Sequence, residues 1–276
     1  MFAKLAPLGK CYIDPRLANY IVPFSQRSAS KALRTLVRGS KLPLPAGGTL
    51  RFFLWWREGK DTNRVDIDLT AAMYDERFQY REHISWTQLL SAKYRGAHSG
   101  DITSAPKGAC EFIDLDLASV LAYGCRYIVV IAYSYTAQPF SDLPECFIGW
   151  MMRNEPGSGE IFEPATVVDR VDLAGEGRCA VPAIFDLATR QVIWTDVVRT
   201  TPPNTTAAIE TNKSSLGQLV EAMAVLHKTN LARLFGLHAD ARGTRVDSAD
   251  TADTVFAVDQ GVTPQDHEAI MAKYLA

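Results

Sequence analysis

The chain lacks the sequence signatures of most small-molecule chemistry. It has no H-E-x-x-H, no G-x-S-x-G elbow, no P-loop and no G-x-G-x-x-G after a strand. Its five histidines (His83, His98, His227, His238 and His267) form no ligand pair, so the expectation is a protein that is not an enzyme. Cysteine is scarce as well. Cys11, Cys110, Cys125, Cys146 and Cys179 are odd in number and widely spaced, with no C-x-x-C pair. That pattern excludes a disulfide framework and a zinc site and points to reduced thiols. No run approaches the roughly 18 apolar residues of a bilayer-spanning helix. The opening Met1-Phe2-Ala3-Lys4-Leu5 soon meets Gly9-Lys10, without the apolar core of a signal peptide. A cytoplasmic protein is expected. Finally, acids are missing between Arg16 and Arg57. Eight of the 29 Lys and Arg lie there, which leaves 21 against all 31 acids elsewhere, a balance of −10.

What is present reads as a globular protein. Its 276 residues, 47% of them apolar and 22% charged, can build a sizeable core. In the basic interval, Ser28 suits an N-cap and Gly39 a C-terminal stop, which predicts a helix. Arg27, Lys31, Arg34 and Arg38 are spaced four, three and four, and would share one face or its entry. Such a face suits an anionic group: a phosphate, nucleic acid, a lipid headgroup or an acidic protein partner. Without interleaved aromatics it is a poor match to a nucleic-acid platform. The alternative is a solvated face, neutralised by the protein's own acids.

A series of strand signals follows. Leu50–Trp56 is aromatic on both faces and Arg126–Thr136 is apolar on both, as central strands are. Cys146–Arg153, Thr166–Leu173, Arg178–Asp186 and Gln191–Trp194 continue the pattern between Gly and Pro turns. After Thr201–Thr206 the period becomes helical, with Leu216, Leu219, Val220, Met223 and Leu226 behind a Ser214-Ser215 cap. A second apolar piece covers Leu231–Leu237, a lone strand Thr254–Val258, and a last helix opens at Thr263-Pro264. The expected fold is mainly β: a two-sheet β-sandwich over 49–200, behind an N-terminal extension over 1–48 with the basic helix, and before a small C-terminal α/β appendage over 207–276.

The stretch from Arg64 to Leu117 holds the chemistry. Val65, Ile67, Leu69, Ala71 and Met73 share one face of an extended strand, and Asp66, Asp68 and Thr70 the other. Ser99-Gly100-Asp101 is turn chemistry that presents a third carboxylate. Two readings fit. The acids line a solvated edge strand, or they meet a hard cation, which calcium's demand for six to eight oxygens would allow.

These residues also resemble a known family. Trp56–Asp75, with Asp66-Ile67-Asp68-Leu69-Thr70-Ala71, is similar to the Asp-x-Asp-Leu-x-Ala segment of the TerD family of tellurium-resistance and general stress proteins. His98-Ser99-Gly100-Asp101 resembles that family's His-Ser-Gly-Asp-Asn turn, and Glu111–Leu117 its Glu followed by a short Val-Asp-Leu strand. The three motifs occur in order within about residues 50–200. The resemblance implies a β-sandwich that binds calcium through Asp66, Asp68, Asp101 and Glu111, completed by carbonyls near Ile102 and Thr103. It also implies a protein partner in a bacterial stress or tellurite- and metal-resistance complex. Ile102 stands where the family has Asn, and Ala109-Cys110 where it has an acidic pair, which implies one weakened site rather than two. The alternative is an ion-free scaffold that docks a partner or an anionic surface through the basic helix and the appendage. Two-metal hydrolysis needs more acids at closer range than the sequence shows.

Overall fold

The computed structural model describes residues 5–23, 30–32, 36–60, 63–199, 209–225 and 228–275. In chain order the elements are β1 (Gly9–Ile13), β2 (Ser30–Ala32), β3 (Lys41–Pro43), β4 (Thr49–Arg57), β5 (Ile67–Asp75), β6 (Tyr80–Ile84), β7 (Leu90–Ser91), β8 (Gly96–His98) and β9 (Ala109–Asp116). There follow α1 (Leu117–Ala122), β10 (Cys125–Ser134), β11 (Glu145–Arg153), β12 (Val167–Leu173), β13 (Cys179–Asp186), β14 (Gln191–Arg199) and α2 (Ile209–Ala224). The chain ends with α3 (Leu231–Arg242), β15 (Gly243–Val246), β16 (Thr254–Phe256) and α4 (His267–Ile270).

The chain divides into two compact units. The larger spans 29–33 and 42–225, and the smaller gathers 1–28, 34–41 and 226–276.

The larger unit is a two-sheet antiparallel sandwich. One sheet has the order β3-β14-β13-β10-β5-β6 and the other β2-β12-β11-β4-β9-β8-β7. The inward faces meet through aromatic side chains. Phe52 packs edge-on against Phe185 at 5.0 Å between ring centres, Trp150 against Phe185 at 5.3 Å, and Trp150 lies 6.4 Å from Trp194. All four are buried, and each such side chain contributes a few kcal/mol of burial. As the apolar runs suggest, β4 and β10 are interior strands.

The outer face of the six-stranded sheet is covered by α2. Tyr74 Oη donates to the Lys213 carbonyl at 3.0 Å. Gly217 brings the helix close, since a Cβ there would sit 2.7 Å from the Phe78 carbonyl oxygen. This helix therefore belongs with the sandwich rather than with the appendage, and Ser214 and Ser215 lie inside it instead of capping it.

The expected basic helix is not present among the described residues. Ser30–Ala32 is extended and pairs with β12, Lys31 opposite Asp172. Arg38 and Gly39 form a turn. Strand pairing wins there because β12 would otherwise be an unpaired edge. Arg27 and Arg34 lie outside the described residues.

The smaller unit joins both ends of the chain. β1 is the middle strand of a parallel sheet, between β15 and β16, so Thr254–Phe256 is not a lone strand. α3 starts at Asn230, whose side chain accepts from the Arg233 amide at 2.9 Å. It packs Phe235 on Phe256 at 4.2 Å, with Tyr274 edge-on to both. At the α3–β15 junction a Cβ on Gly243 would lie 2.4 Å from the Gly9 carbonyl oxygen, so the residue must be glycine. The last helix begins at His267, later than Pro264, because Asp266 turns back to bond the Thr263 amide and hydroxyl.

Candidate metal centre

The centre forms where strand pairing runs out. β6 pairs with β5 only from Ala71 to Tyr74. Toward its N-terminus, β5 is thus left with β10 on one side and no strand on the other. A fully buried carboxylate from the opposite sheet fills the gap. Glu111 of β9 accepts from the Leu69 amide through Oε2 (3.0 Å) and from the Ile102 amide through Oε1 (2.9 Å). His98 completes the edge. Its Nδ1 accepts from the Gly100 amide at 3.1 Å, which places the ring proton on Nε2, 3.2 Å from the Leu69 carbonyl and 3.4 Å from Glu111 Oε2.

These contacts pin the 99–105 loop against β5 and bring Asp101 to the two strand acids. Ligand oxygens of Asp66, Asp68 and Asp101 lie within 4.8 Å of one another. Asp101 is exposed, but Asp66 and Asp68 are each only 4% exposed. The reading of a solvated strand face is therefore wrong: both acids are buried, although β5 has no strand neighbour on one side there. Asp66 Oδ1 and Asp68 Oδ2 are buried and accept no hydrogen bond. The one close cation among the described residues is Arg64, whose Nη2 lies 3.1 Å from Asp66 Oδ2.

The electrostatics follow. Burial, then the charges of Asp66, Glu111 and Asp101, push the Asp68 carboxyl up to about 8. Burial and the charge of Asp101 also raise Asp66, against the pull of Arg64. An isolated buried carboxylate costs several kcal/mol unless it is paired or neutralised. The cluster is short of positive charge, and its orphaned atoms are hard oxygens.

Of the six residues expected at the metal, the structure brings Asp66, Asp68 and Asp101 together. Glu111 stands beside them with both oxygens committed to amides. Ile102 offers its amide to Glu111, while Thr103 is exposed on the same loop. Asp114 and Asp116 are elsewhere: Asp114 forms a two-pronged pair with Arg51 at 2.6 Å, and Asp116 caps α1 through the Ser119 amide at 2.7 Å. The Cys110 thiol is pushed up to about 11, first by burial, which disfavours its thiolate.

Two supports escaped the sequence reading. Glu58 Oε1 accepts from the amides of Val65 (3.0 Å) and Ala105 (2.7 Å), which ties both ends of the site. Thr136 Oγ1 accepts from the Asp66 amide at 3.0 Å. Neither carries a local signal, since each acts on a segment distant in sequence or across a loop.

Of the basic set, Lys31 lies in β2 and Arg38 in a turn, while Arg27 and Arg34 lie outside the described residues.

No family model matches the sequence, and no curated protein matches it. Among solved structures the chain is similar to a homologue of telluride resistance protein (TerD), SCO6318 from Streptomyces coelicolor A3(2). The TM-score is 0.46 and the identity 12%, over 62% of this chain and 98% of that one. It is also similar to the unknown function protein SAV2460, with a TM-score of 0.41 and 14% identity over 55% of this chain and 92% of that one. No helix among the described residues is long and apolar enough to cross a membrane.

Proposed function

We propose that this is a TerD-like, non-catalytic protein that holds one divalent cation, calcium by preference, at Asp66, Asp68 and Asp101. Its setting is a cytoplasmic stress or tellurite- and metal-resistance system, where it works with a protein partner. The observation that carries the cation is the pair of orphaned, buried oxygens, Asp66 Oδ1 and Asp68 Oδ2, facing a third carboxylate. Oxygen donors without sulfur or imidazole suit a hard ion. Three carboxylates in irregular array, with the remaining positions left to water or carbonyls, suit calcium better than octahedral magnesium. Glu111 acts as the positioning residue, since it holds the loop that delivers Asp101. A bound ion would tie that loop to β5 and neutralise the cluster.

Calorimetric titration of chelator-stripped protein tests this. Calcium should bind with a stoichiometry near one and raise the melting temperature, and magnesium should do less. At a free concentration about 100 times the dissociation constant the gain is about 2.7 kcal/mol. Absence of binding by the parent would sink the proposal, as would undiminished binding by Asp68→Asn.

A further inference from the structure

We infer that the smaller unit is an acid-opened clasp, in which His238 joins the two ends of the chain only while its imidazole is neutral. The clasp starts from spacing. His238 and Arg242 are four residues apart in α3 and share a face. The imidazole is buried, with His238 only 1% exposed. Its Nε2 stands 2.9 Å from the Tyr274 carbonyl and its Nδ1 3.0 Å from Arg242 Nη1. A carbonyl can only accept and a guanidinium can only donate. The partners therefore fix the tautomer: Nε2 carries the proton and Nδ1 is the bare acceptor. Arg242 Nε in turn donates to the Ala6 carbonyl at 2.9 Å, and the Leu8 amide donates to the Arg242 carbonyl at 2.8 Å. One series of bonds thus runs from Ala6 through Arg242 and His238 to Tyr274.

Proton uptake breaks that series at a defined atom. A proton on Nδ1 sets one N–H against another, with two positive charges across the 3.0 Å contact to Arg242. The buried ring cannot carry its charge out to water. The neighbouring elements hold few groups that titrate in the acid range. Cys11 of β1 and Tyr274, whose ring stands edge-on 5.1 Å from the imidazole, are both kept protonated by burial. Asp253, beside Cys11, accepts from the Lys10 amide at 2.7 Å, and Arg245 of β15 pairs with Asp240 at 2.6 Å. Glu268 and Lys273, near the end of the chain, are exposed. His267 of α4 adds to the effect. Its ring bonds the Pro264 carbonyl, and its Nε2 is buried with no hydrogen-bond partner among the described residues. A proton there would have no acceptor.

Burial accordingly holds both histidines below their ordinary value. The closed unit refuses a proton that the opened unit accepts. Its stability is therefore intact above about pH 6.5 and falls as pH drops below that value. His83 and His98, buried in the sandwich, are set differently. His83 bonds the hydroxyls of Tyr80 and Thr87, which can turn to accept from a protonated ring. His98 stands 3.4 Å from the Glu111 carboxylate. Neither ring faces a fixed cation across a hydrogen bond in these contacts. Acid should thus open the smaller unit and spare the sandwich, freeing β1 and the terminal turn together.

The test is hydrogen exchange of the full chain at pH 7.5 and pH 5.0, read by mass spectrometry with times scaled for the intrinsic rate. Protection across 9–13, 231–246 and 267–275 should fall at pH 5.0 by about tenfold to thirtyfold, the larger figure being the full effect of one histidine that titrates near 6.5 only when exposed. Protection of β10 and β13 should hold. His238→Gln can make both bonds, its amide to the Tyr274 carbonyl and its oxygen to Arg242, without a group that titrates. It should lose most of the acid response. Arg242→Gln removes the fixed charge and should weaken the response as well, which keeps the test decisive if the first variant does not fold. Equal protection of the parent at both pH values would overturn the inference. Loss of β10 and β13 protection along with the smaller unit would do so too, as would an undiminished acid response in either folded variant.

Discussion

Replacing Asp68 by Asn should make the ion-free protein more stable at neutral pH. Asp68 is buried beside Asp66 and Asp101, with one oxygen unpartnered. Its carboxyl titrates near 8 in the folded chain and near 3.9 when unfolded. The folded value is the higher one, so the unfolded state releases its proton first. Stability is then fully present below about pH 4, falls as pH rises, and reaches its floor above about pH 8. At pH 7 the gap from 3.9 corresponds to about 4 kcal/mol at 1.36 kcal/mol per unit. Asn is nearly the same size and carries no charge, so the substitution should recover much of that. For a protein of this size the gain is on the order of 10 °C in melting temperature. The assay is thermal unfolding in chelator at pH 5, 6, 7 and 8 for both proteins. The parent should lose stability across the series, the variant should stay nearly level, and the two should converge at the acid end. Calcium should restore the parent at pH 7 and leave the variant unmoved. A parent curve that is level between pH 5 and 8, or a variant no more stable than the parent at pH 7, would refute the claim that a carboxyl whose ionisation nothing compensates is buried at this strand.

Other outcomes follow from the same contacts. Glu111→Gln sets an amide group against two backbone donors; it should cost about 1–3 kcal/mol and speed hydrogen exchange at the Leu69 and Ile102 amides, and slow exchange there would contradict the clamp. Gly149→Ala should destabilise by about 1–3 kcal/mol, read by denaturant titration, because its Cβ would meet Phe53 at 2.4 Å and the Asp169 carbonyl at 2.7 Å. Cys110 should react slowly with iodoacetamide near pH 7.5, since the thiolate is the nucleophile and this thiol titrates near 11; fast labelling at Cys110 in the native protein would count against its burial. Deleting residues 1–14 should expose 228–275 to proteolysis while the sandwich persists, because β1 is the strand on which β15 and β16 pair; equal protection would show that the small unit stands without it.

Much of the sandwich was legible because its strands are long and doubly buried, so that apolar runs such as Tyr127–Ala132 announce themselves. The three acids of the centre were legible as well, from alternation at Asp66 and Asp68 and turn chemistry at Asp101. The burial of Asp66 and Asp68 was not. It depends on β6 stopping at Ile84 and on Glu111 arriving from the other sheet, and neither is a local property. The basic segment misled for a related reason. Ser28, Gly39 and a four-three-four spacing satisfy helix rules, but Ser30–Ala32 answers to the open edge of β12. In the smaller unit, pairing Gly9 with Gly243 is invisible to any window of sequence.

That last pairing has a consequence for biosynthesis. β1 leaves the ribosome roughly 230 residues before β15 and β16 are made. At 5–20 residues per second the wait is roughly 10–50 s. During it the sandwich, complete by residue 225, has every strand it needs to fold. The segment Gly9–Ile13 meanwhile has two open edges and no native partner, the condition in which strands find wrong ones. Order of appearance thus makes β1 wait longest for its place in the sheet, and makes it the strand most dependent on being shielded until then.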